Sequence, residues 1–360
     1  MLFSPYPKTK KEELFDRDRE FSELISSIER GERLILLLGI RRLGKSSLLN
    51  AVLNEIGFPS VKIDVREIYF EHSSVNRYLI ARYLLSALSG KKRIFEEAKM
   101  FLRNVKGLTI SGLNFSFSRD FNLTDVLKAL NDYGDKNGTR VIIAFDEAQY
   151  LRFGGATRYD GILAYAVDNL PNLTFVLTGS EVGLLFDFLK FENPKAPLFG
   201  RYHRDITLER FDEKTSLSFL RAGFKEAGKR AKRSELEDAV EKLDGIVGWL
   251  SLYGYLRVSQ SLTHKEALDE VFKEANKAIG SEMLKLFAYS PRYRVILKSI
   301  ALGYERWSEI KDYVTLKLGY INDSNFSNLL ENLVKYGYVE KKNGRYKIAD
   351  PVLAKVFREL

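Results

Sequence analysis

Two short stretches of this sequence carry residue types suited to phosphate chemistry. The first is Gly39-Ile40-Arg41-Arg42-Leu43-Gly44-Lys45-Ser46, with the spacing G-x-x-x-x-G-K-S. Gly39 and Gly44 permit backbone dihedrals that a side chain forbids. The N–H groups of residues 39–47, from Gly39 to Ser47, can then converge on phosphate oxygens, helped by the positive end of a following helix. Lys45 supplies a point charge for the β- and γ-phosphates, and the Ser46 hydroxyl suits Mg²⁺. The second stretch is Asp146-Glu147. Asp146 is expected to hold Mg²⁺, directly or through water, and Glu147 to orient and polarise an attacking water.

Each stretch needs an element to carry it. The apolar run Leu34–Leu38 precedes the glycine loop and Ser47–Leu53 follows it, which predicts strand, loop and helix. Five apolar residues, Val141–Phe145, lead into Asp146, as in a central parallel strand covered on both faces. Ligands bind at the C-terminal ends of such strands. Leu173–Leu177 predicts another buried strand, ending in Thr178-Gly179-Ser180. A hydroxyl there can sense a γ-phosphate; Thr178 and Ser180 both qualify. Phe15 and Arg17 enter an amphipathic helix upstream of the loop, a segment able to lie against a nucleotide base. Arg201, with Arg204 in reserve, is a cation expected to reach the γ-phosphate, in its own chain or in a neighbouring subunit. Gly107–Phe117 alternates like a small hairpin inserted into this framework.

Beyond residue 210 the pattern turns helical, with a capping-box start at Ser234 and helices expected over 251–261, 262–279 and 281–289. Residues 324–336 place Phe326, Leu329, Leu330, Leu333 and Val334 on one face. A hairpin with an Asn343-Gly344 turn follows. Three helices and a hairpin predict a winged helix. Its region, 281–360, carries 14 Lys+Arg against 9 Asp+Glu. Asn325, Asn328, Asn332 and Lys335 on the helix, with Lys341, Lys342, Arg345 and Lys347 on the wing, are candidates for double-stranded DNA. A protein partner is the other reading of the same surface. The expected organisation is α/β: a parallel nucleotide-binding sheet flanked by helices over 1–210, a helical lid over 211–280, and a winged helix over 281–360.

Composition narrows the classes. The 360 residues include no cysteine, which excludes disulfides and thiolate metal sites, and only three dispersed histidines. No apolar run is long enough to span a membrane. The opening residues contain no secretory apolar segment, so a cytoplasmic protein without membrane attachment is expected. The net charge of +9 is compatible with nucleic acid. Only two glutamines among abundant Lys, Arg and Glu fit a heat-adapted protein.

Taken together, the Phe15–Arg17–Glu20 lead-in, Gly39–Ser46, Val141–Gln149, Leu177–Ser180, Gly200-Arg201 and the C-terminal winged helix resemble the archaeal ATPase family. That family is a branch of the AAA+-like P-loop ATPases close to the STAND group. The resemblance implies Mg²⁺-dependent ATP binding and hydrolysis, ADP as product, and a nucleotide-dependent oligomer as one mode of assembly. Relatives carry a proline near Gly245–Leu250 that meets the nucleotide. This sequence has none, a departure that puts a sensor role for Gly248 or Trp249 outside what the resemblance implies. A switch that controls DNA binding or scaffolding with negligible turnover is the alternative.

Overall fold

Nine strands organise the described residues. They are β1 (Leu34–Leu38), β2 (Ser60–Asp64), β3 (Leu108–Ser111), β4 (Asn114–Phe117), β5 (Val141–Asp146), β6 (Leu173–Gly179), β7 (Arg204–Thr207), β8 (Val339–Lys342) and β9 (Arg345–Ile348). The computed structural model describes residues 1–359, except the side chains of 278–282, 284 and 285. Five strands form one parallel sheet in the order β2-β5-β6-β1-β7. Every residue of β1, β5 and β6 is buried. The apolar runs Leu34–Leu38 and Val141–Phe145 reflect helices on both faces, and β6 is buried although Thr174 and Thr178 interrupt it.

Strand alternation divides the core in two. Ile35, Leu37, Ile142 and Ala144 face one side with the helices Asp18–Glu29 and Lys45–Glu55. Leu34, Leu36, Val141, Ile143 and Phe145 face the other, against Arg77–Ser89, Leu123–Lys136 and Tyr159–Asn169. Asn76 and Asn122 cap two of these helices through their side chains, as short amides do at helix starts. The inserted hairpin forms as expected, with β3 pairing β4 across a Gly112-Leu113 turn.

The first core is continuous with the C-terminal half. It includes Phe219, Trp249, Tyr253, Leu297, Phe326 and Val352, so the sheet, the following helices and the winged helix share one apolar interior. Some boundaries differ from the periodicity. The helix after the basic run begins at Arg233, with Lys232 as its cap residue; the Glu235 side chain accepts the Lys232 N–H at 3.3 Å. The helix expected from 251 starts at Val247. A single helix, His264–Tyr289, replaces the two expected on either side of residue 280, so the anticipated boundary falls inside it. One internal glycine costs a helix only about 1 kcal/mol, too little to break it. The winged helix comprises Arg292–Ala301, Trp307–Leu318, Asp323–Lys335 and the β8–β9 hairpin. Asn343 and Gly344 have φ of 51° and 74°, the left-handed pair of a two-residue hairpin turn. Among the described residues no helix is long and apolar enough to cross a membrane.

Candidate nucleotide site

Parallel strands place all their C-terminal ends on one edge of the sheet. Leu38 lies in register with Gly179, and Asp64 with Asp146. The glycine loop, Asp146-Glu147, Thr178-Gly179-Ser180 and the end of β2 therefore converge. The loop takes the conformation its glycines predict. Gly39 and Gly44 have φ of 136° and 94°. A Cβ on Gly39 would sit 2.6 Å from the Leu208 carbonyl oxygen. Lys45 is buried and donates to the Gly39 and Ile40 carbonyls at 2.6 and 2.8 Å. Burial pushes its ammonium pKa down to about 8, although Glu147 and Asp146 act to raise it.

The acidic pair is held by the neighbouring strand. Thr178 donates to Asp146 Oδ1 at 2.5 Å and accepts the Glu147 N–H at 3.0 Å. Lys62 on β2 reaches Asp146 Oδ2 at 3.2 Å. Burial alone would raise the Asp146 pKa. Lys62 and the Thr178 and Ser46 hydroxyls outweigh it and keep the carboxyl below its ordinary range. Glu147 has a left-handed backbone, φ 54°, a conformation that costs a non-glycine residue about 1–3 kcal/mol and recurs at functional sites. Its Oε2 accepts from Ser180 at 2.6 Å and Gln149 at 2.7 Å. The two hydroxyls that the sequence left undecided thus serve different carboxylates.

Beside these groups lies a cavity of about 580 Å³. Phe15, Arg17, Arg41, Arg42, Leu43, Gly44, Lys45, Ser46, Ser47 and Glu147 all line it. Gly39 and Ile40 contribute the carbonyls that hold Lys45, while Asp146 and Thr178 stand behind the wall. Phe15 meets Phe211 and Phe219 edge-on, giving one end an aromatic lining. Arg17 lies over Phe211 and donates to the Glu209 carbonyl at 2.7 Å, pinning the lead-in to the segment after β7. Ser46 and Asp146 offer one hydroxyl and one ionised carboxylate. That oxygen set suits Mg²⁺, which takes few protein ligands and completes its shell with phosphates and water. No cluster of three His, Cys, Asp or Glu able to hold a metal occurs among the described residues.

Arg201 does not reach the phosphate site of its own chain, one of its two expected arrangements. It donates to Asp168 at 2.6–3.1 Å and to the Pro197 carbonyl. With Arg33 and Asp168 it sits at the start of β1, the opposite end of the sheet from the glycine loop. Arg204 opens β7 and pairs with Glu23 at 2.5 Å. Neither can serve this chain's own phosphate site. Both follow a long connection after β6, and nothing in spacing tells which strand end such a connection meets.

Several lining residues were not legible. Leu2 to Lys8 form one wall, anchored by Phe3 and by the Lys8 N–H on Ser47 Oγ at 3.0 Å. Arg66, just beyond β2, faces the same cavity. The only sequence signal for it is a cation directly after a strand's C-terminal end. Val247, Gly248 and Trp249 line the cavity without the proline, and the Gly248 N–H donates to the Arg42 carbonyl at 2.9 Å. Arg42 lies 3.9 Å over the Trp249 ring, whose indole N–H donates to buried Asp350 at 2.8 Å. Arg41 reaches Glu181 at 2.5 Å and the Tyr338 hydroxyl at 3.1 Å. The loop's two arginines point toward the helix Val247–Val258 and the winged helix.

Comparison with known proteins agrees with this geometry. Residues 14–252 match the family described as an ATPase domain predominantly from Archaea. Residues 288–349 match the C-terminal winged helix-turn-helix domain of MCM proteins. Among solved structures, the chain is similar to the Walker-type ATPase of Pyrococcus abyssi, with 43% identity over 99% of this chain and 100% of that one, and a TM-score of 0.88. The ORC2 protein of Aeropyrum pernix, in ADPNP and ADP complexes, shares the fold at 16% identity, covering 99% and 95%, with a TM-score of 0.64. No curated protein matches the chain. The ATPase match spans most of the sequence, and the protein belongs to this family of ATP-binding ATPases predominantly from Archaea.

Proposed function

We propose that the protein hydrolyses ATP in a Mg²⁺-dependent reaction and uses its nucleotide state to move the winged helix. The observation that carries this reading is the convergence of Lys45, Ser46, Asp146 and Glu147 at one strand edge. Phe15 and Arg17 would border the base, and the backbone of residues 39–47 would cradle the phosphates. Ser46 and Asp146 would hold Mg²⁺, which when bound neutralises charge on the β- and γ-phosphates. Glu147 accepts the proton of the attacking water; Lys45 stabilises charge on the phosphates. Movement is supported by the loop's own side chains: Arg41 touches Tyr338, and Arg42 touches Trp249, which in turn holds Asp350. A phosphate that reorganises the loop must disturb both contacts.

A second reading is a nucleotide-controlled switch, for DNA or a protein scaffold, with negligible turnover. It is favoured by Glu147, whose Oε2 is already engaged by the Ser180 hydroxyl and the Gln149 amide. A nucleotide-dependent oligomer is the setting in which Arg201 would act on a neighbouring subunit's site. One experiment separates these readings: steady-state ATPase activity with and without duplex DNA, alongside mass measurement and hydrogen exchange in ATP and ADP. Lys45→Ala is expected to abolish nucleotide binding. Glu147→Gln is expected to bind ATP yet turn over about 10²–10³-fold more slowly, as loss of a catalytic acid–base group does. Exchange in residues 336–342 should differ between ATP and ADP. Equal hydrolysis by wild type and Glu147→Gln would remove Glu147 as the base; unchanged exchange would remove the coupling.

A further inference from the structure

Displacing Arg201 leaves the phosphate end without the cation that the sequence assigned to it. The cations that border the cavity differ in how they are held. Lys45 is bonded to loop carbonyls, Arg41 to Glu181 and Tyr338, Arg17 to the Glu209 carbonyl, and Arg42 lies on Trp249. Arg66 also lines the cavity, half-buried, yet forms no hydrogen bond or ion pair among the described residues. Its position follows from the sheet. Asp64 ends β2 in register with Asp146, then caps the helix Val65–His72 by accepting the Glu67 N–H at 3.1 Å. Arg66 is the second residue of that helix, two beyond the register partner of the metal-site carboxylate. Its charge acts at this site: it opposes protonation of Lys45 and favours ionisation of Asp64. Arg66 and Lys45 line the same cavity and repel one another, and an anion bound between them would relieve that repulsion.

We propose that Arg66 is a catalytic residue that contacts the γ-phosphate of ATP from within the same chain. The proposal rests on the ATPase reading. Water oxygen bonds to the γ-phosphorus as the bond from that phosphorus to the β,γ-bridging oxygen breaks. The electron pair of that bond stays on the bridging oxygen, which leaves as part of ADP. The water's proton passes to Glu147, and the products are ADP and inorganic phosphate. Arg66 transfers no proton. Its planar, always charged fork matches the equatorial oxygens, where charge spreads in the transition state. Lys62 cannot substitute, because it is paired with Asp146.

The test uses the full chain with Arg66→Ala and Arg66→Lys, measuring single-turnover hydrolysis and the Kd of ATP and ADP. Arg66→Ala should slow hydrolysis by about 10²–10³-fold, the scale for one preorganised charge-stabilising donor. It should weaken ATP several-fold and leave ADP within about twofold, since ADP lacks the group contacted. Added guanidinium should restore part of the Arg66→Ala rate, and Arg66→Lys should recover less than a full guanidinium fork. Hydrolysis by Arg66→Ala at the wild-type rate overturns the proposal. So does an equal loss of ATP and ADP affinity, which marks a purely structural role. If wild type itself shows no turnover, the ATPase reading fails and the binding arm decides Arg66. A lost preference for ATP over ADP in Arg66→Ala then supports the phosphate contact, and a retained preference overturns it.

Discussion

Lys45 is the one charge on which the eight-residue glycine loop converges. Its position in the glycine loop requires burial, and burial lowers its pKa to about 8. Phosphate contact favours the charged ammonium, so nucleotide binding above that pH must take up a proton. Affinity for ATP is therefore expected to fall as pH rises past about 8, by at most tenfold per unit, and to be unaffected by this group below pH 7. Calorimetry in buffers of different ionisation enthalpy reads the proton uptake directly. Flat affinity from pH 7 to 9.5 with no proton uptake would show that Lys45 stays charged in the free protein. Glu147 illustrates a second residue-scale point. Its identity was legible from the strand it ends, but its left-handed backbone and its bonds to Ser180 and Gln149 depend on β6 lying beside β5.

Among the elements, the segment before the first helix acquires a role only in three dimensions. Phe3 is buried edge-on against Phe219 and Phe224, in a slot made by Gly223 and Gly254; a Cβ on either glycine would come within 2.3 Å of its ring. That slot is why the segment before the first helix forms a cavity wall. Phe3→Ala is expected to cost about 3–5 kcal/mol, the range for emptying a buried phenylalanine site. The thermal midpoint should fall by several degrees and nucleotide affinity should drop with it, because residues 4–8 lose their anchor. Scanning calorimetry with and without ATP checks both; an unchanged midpoint would mean that the segment is not fastened to the core. The longer helix His264–Tyr289 makes the converse point, since the sequence pattern suggested a break where the helix continues.

The winged helix brings the whole molecule into view. The helix Asp323–Lys335 packs its C-terminal end on the sheet-bearing half: Lys335 pairs with Asp187 at 2.9 Å, and a Cβ on Gly183 would lie 2.6 Å from the Lys335 Cα. Arg210 adds bonds to Glu340 and the Ala349 carbonyl. Asn332 is bonded to Tyr293. Of the side chains expected to meet DNA, Asn325, Asn328, Lys341 and Lys342 remain exposed, while Arg345 and Lys347 are exposed but paired with Glu305. Duplex binding is expected to be salt-dependent. Replacing Lys341, Lys342 and Arg345 together with alanine should lower the slope of log K against log salt by about 2–3. Titration of fluorescent duplex from low to moderate salt checks this; absence of binding at low salt would leave the domain as a protein-contact module.

The sequence by itself determined the phosphate loop, the acidic pair and the strands beneath them, because glycine spacing and apolar runs are local physical requirements. It also determined the winged helix, through helical periodicity and an Asn-Gly turn. Only the tertiary structure decided which distant residues meet them. Parallel strand order seats Arg66 on the cavity that Glu147 lines and carries Arg201 to the far edge. The same packing turns Arg41 and Arg42 away from the phosphate cradle toward Tyr338 and Trp249. Such pairings join residues tens to hundreds of positions apart, and no local periodicity encodes them.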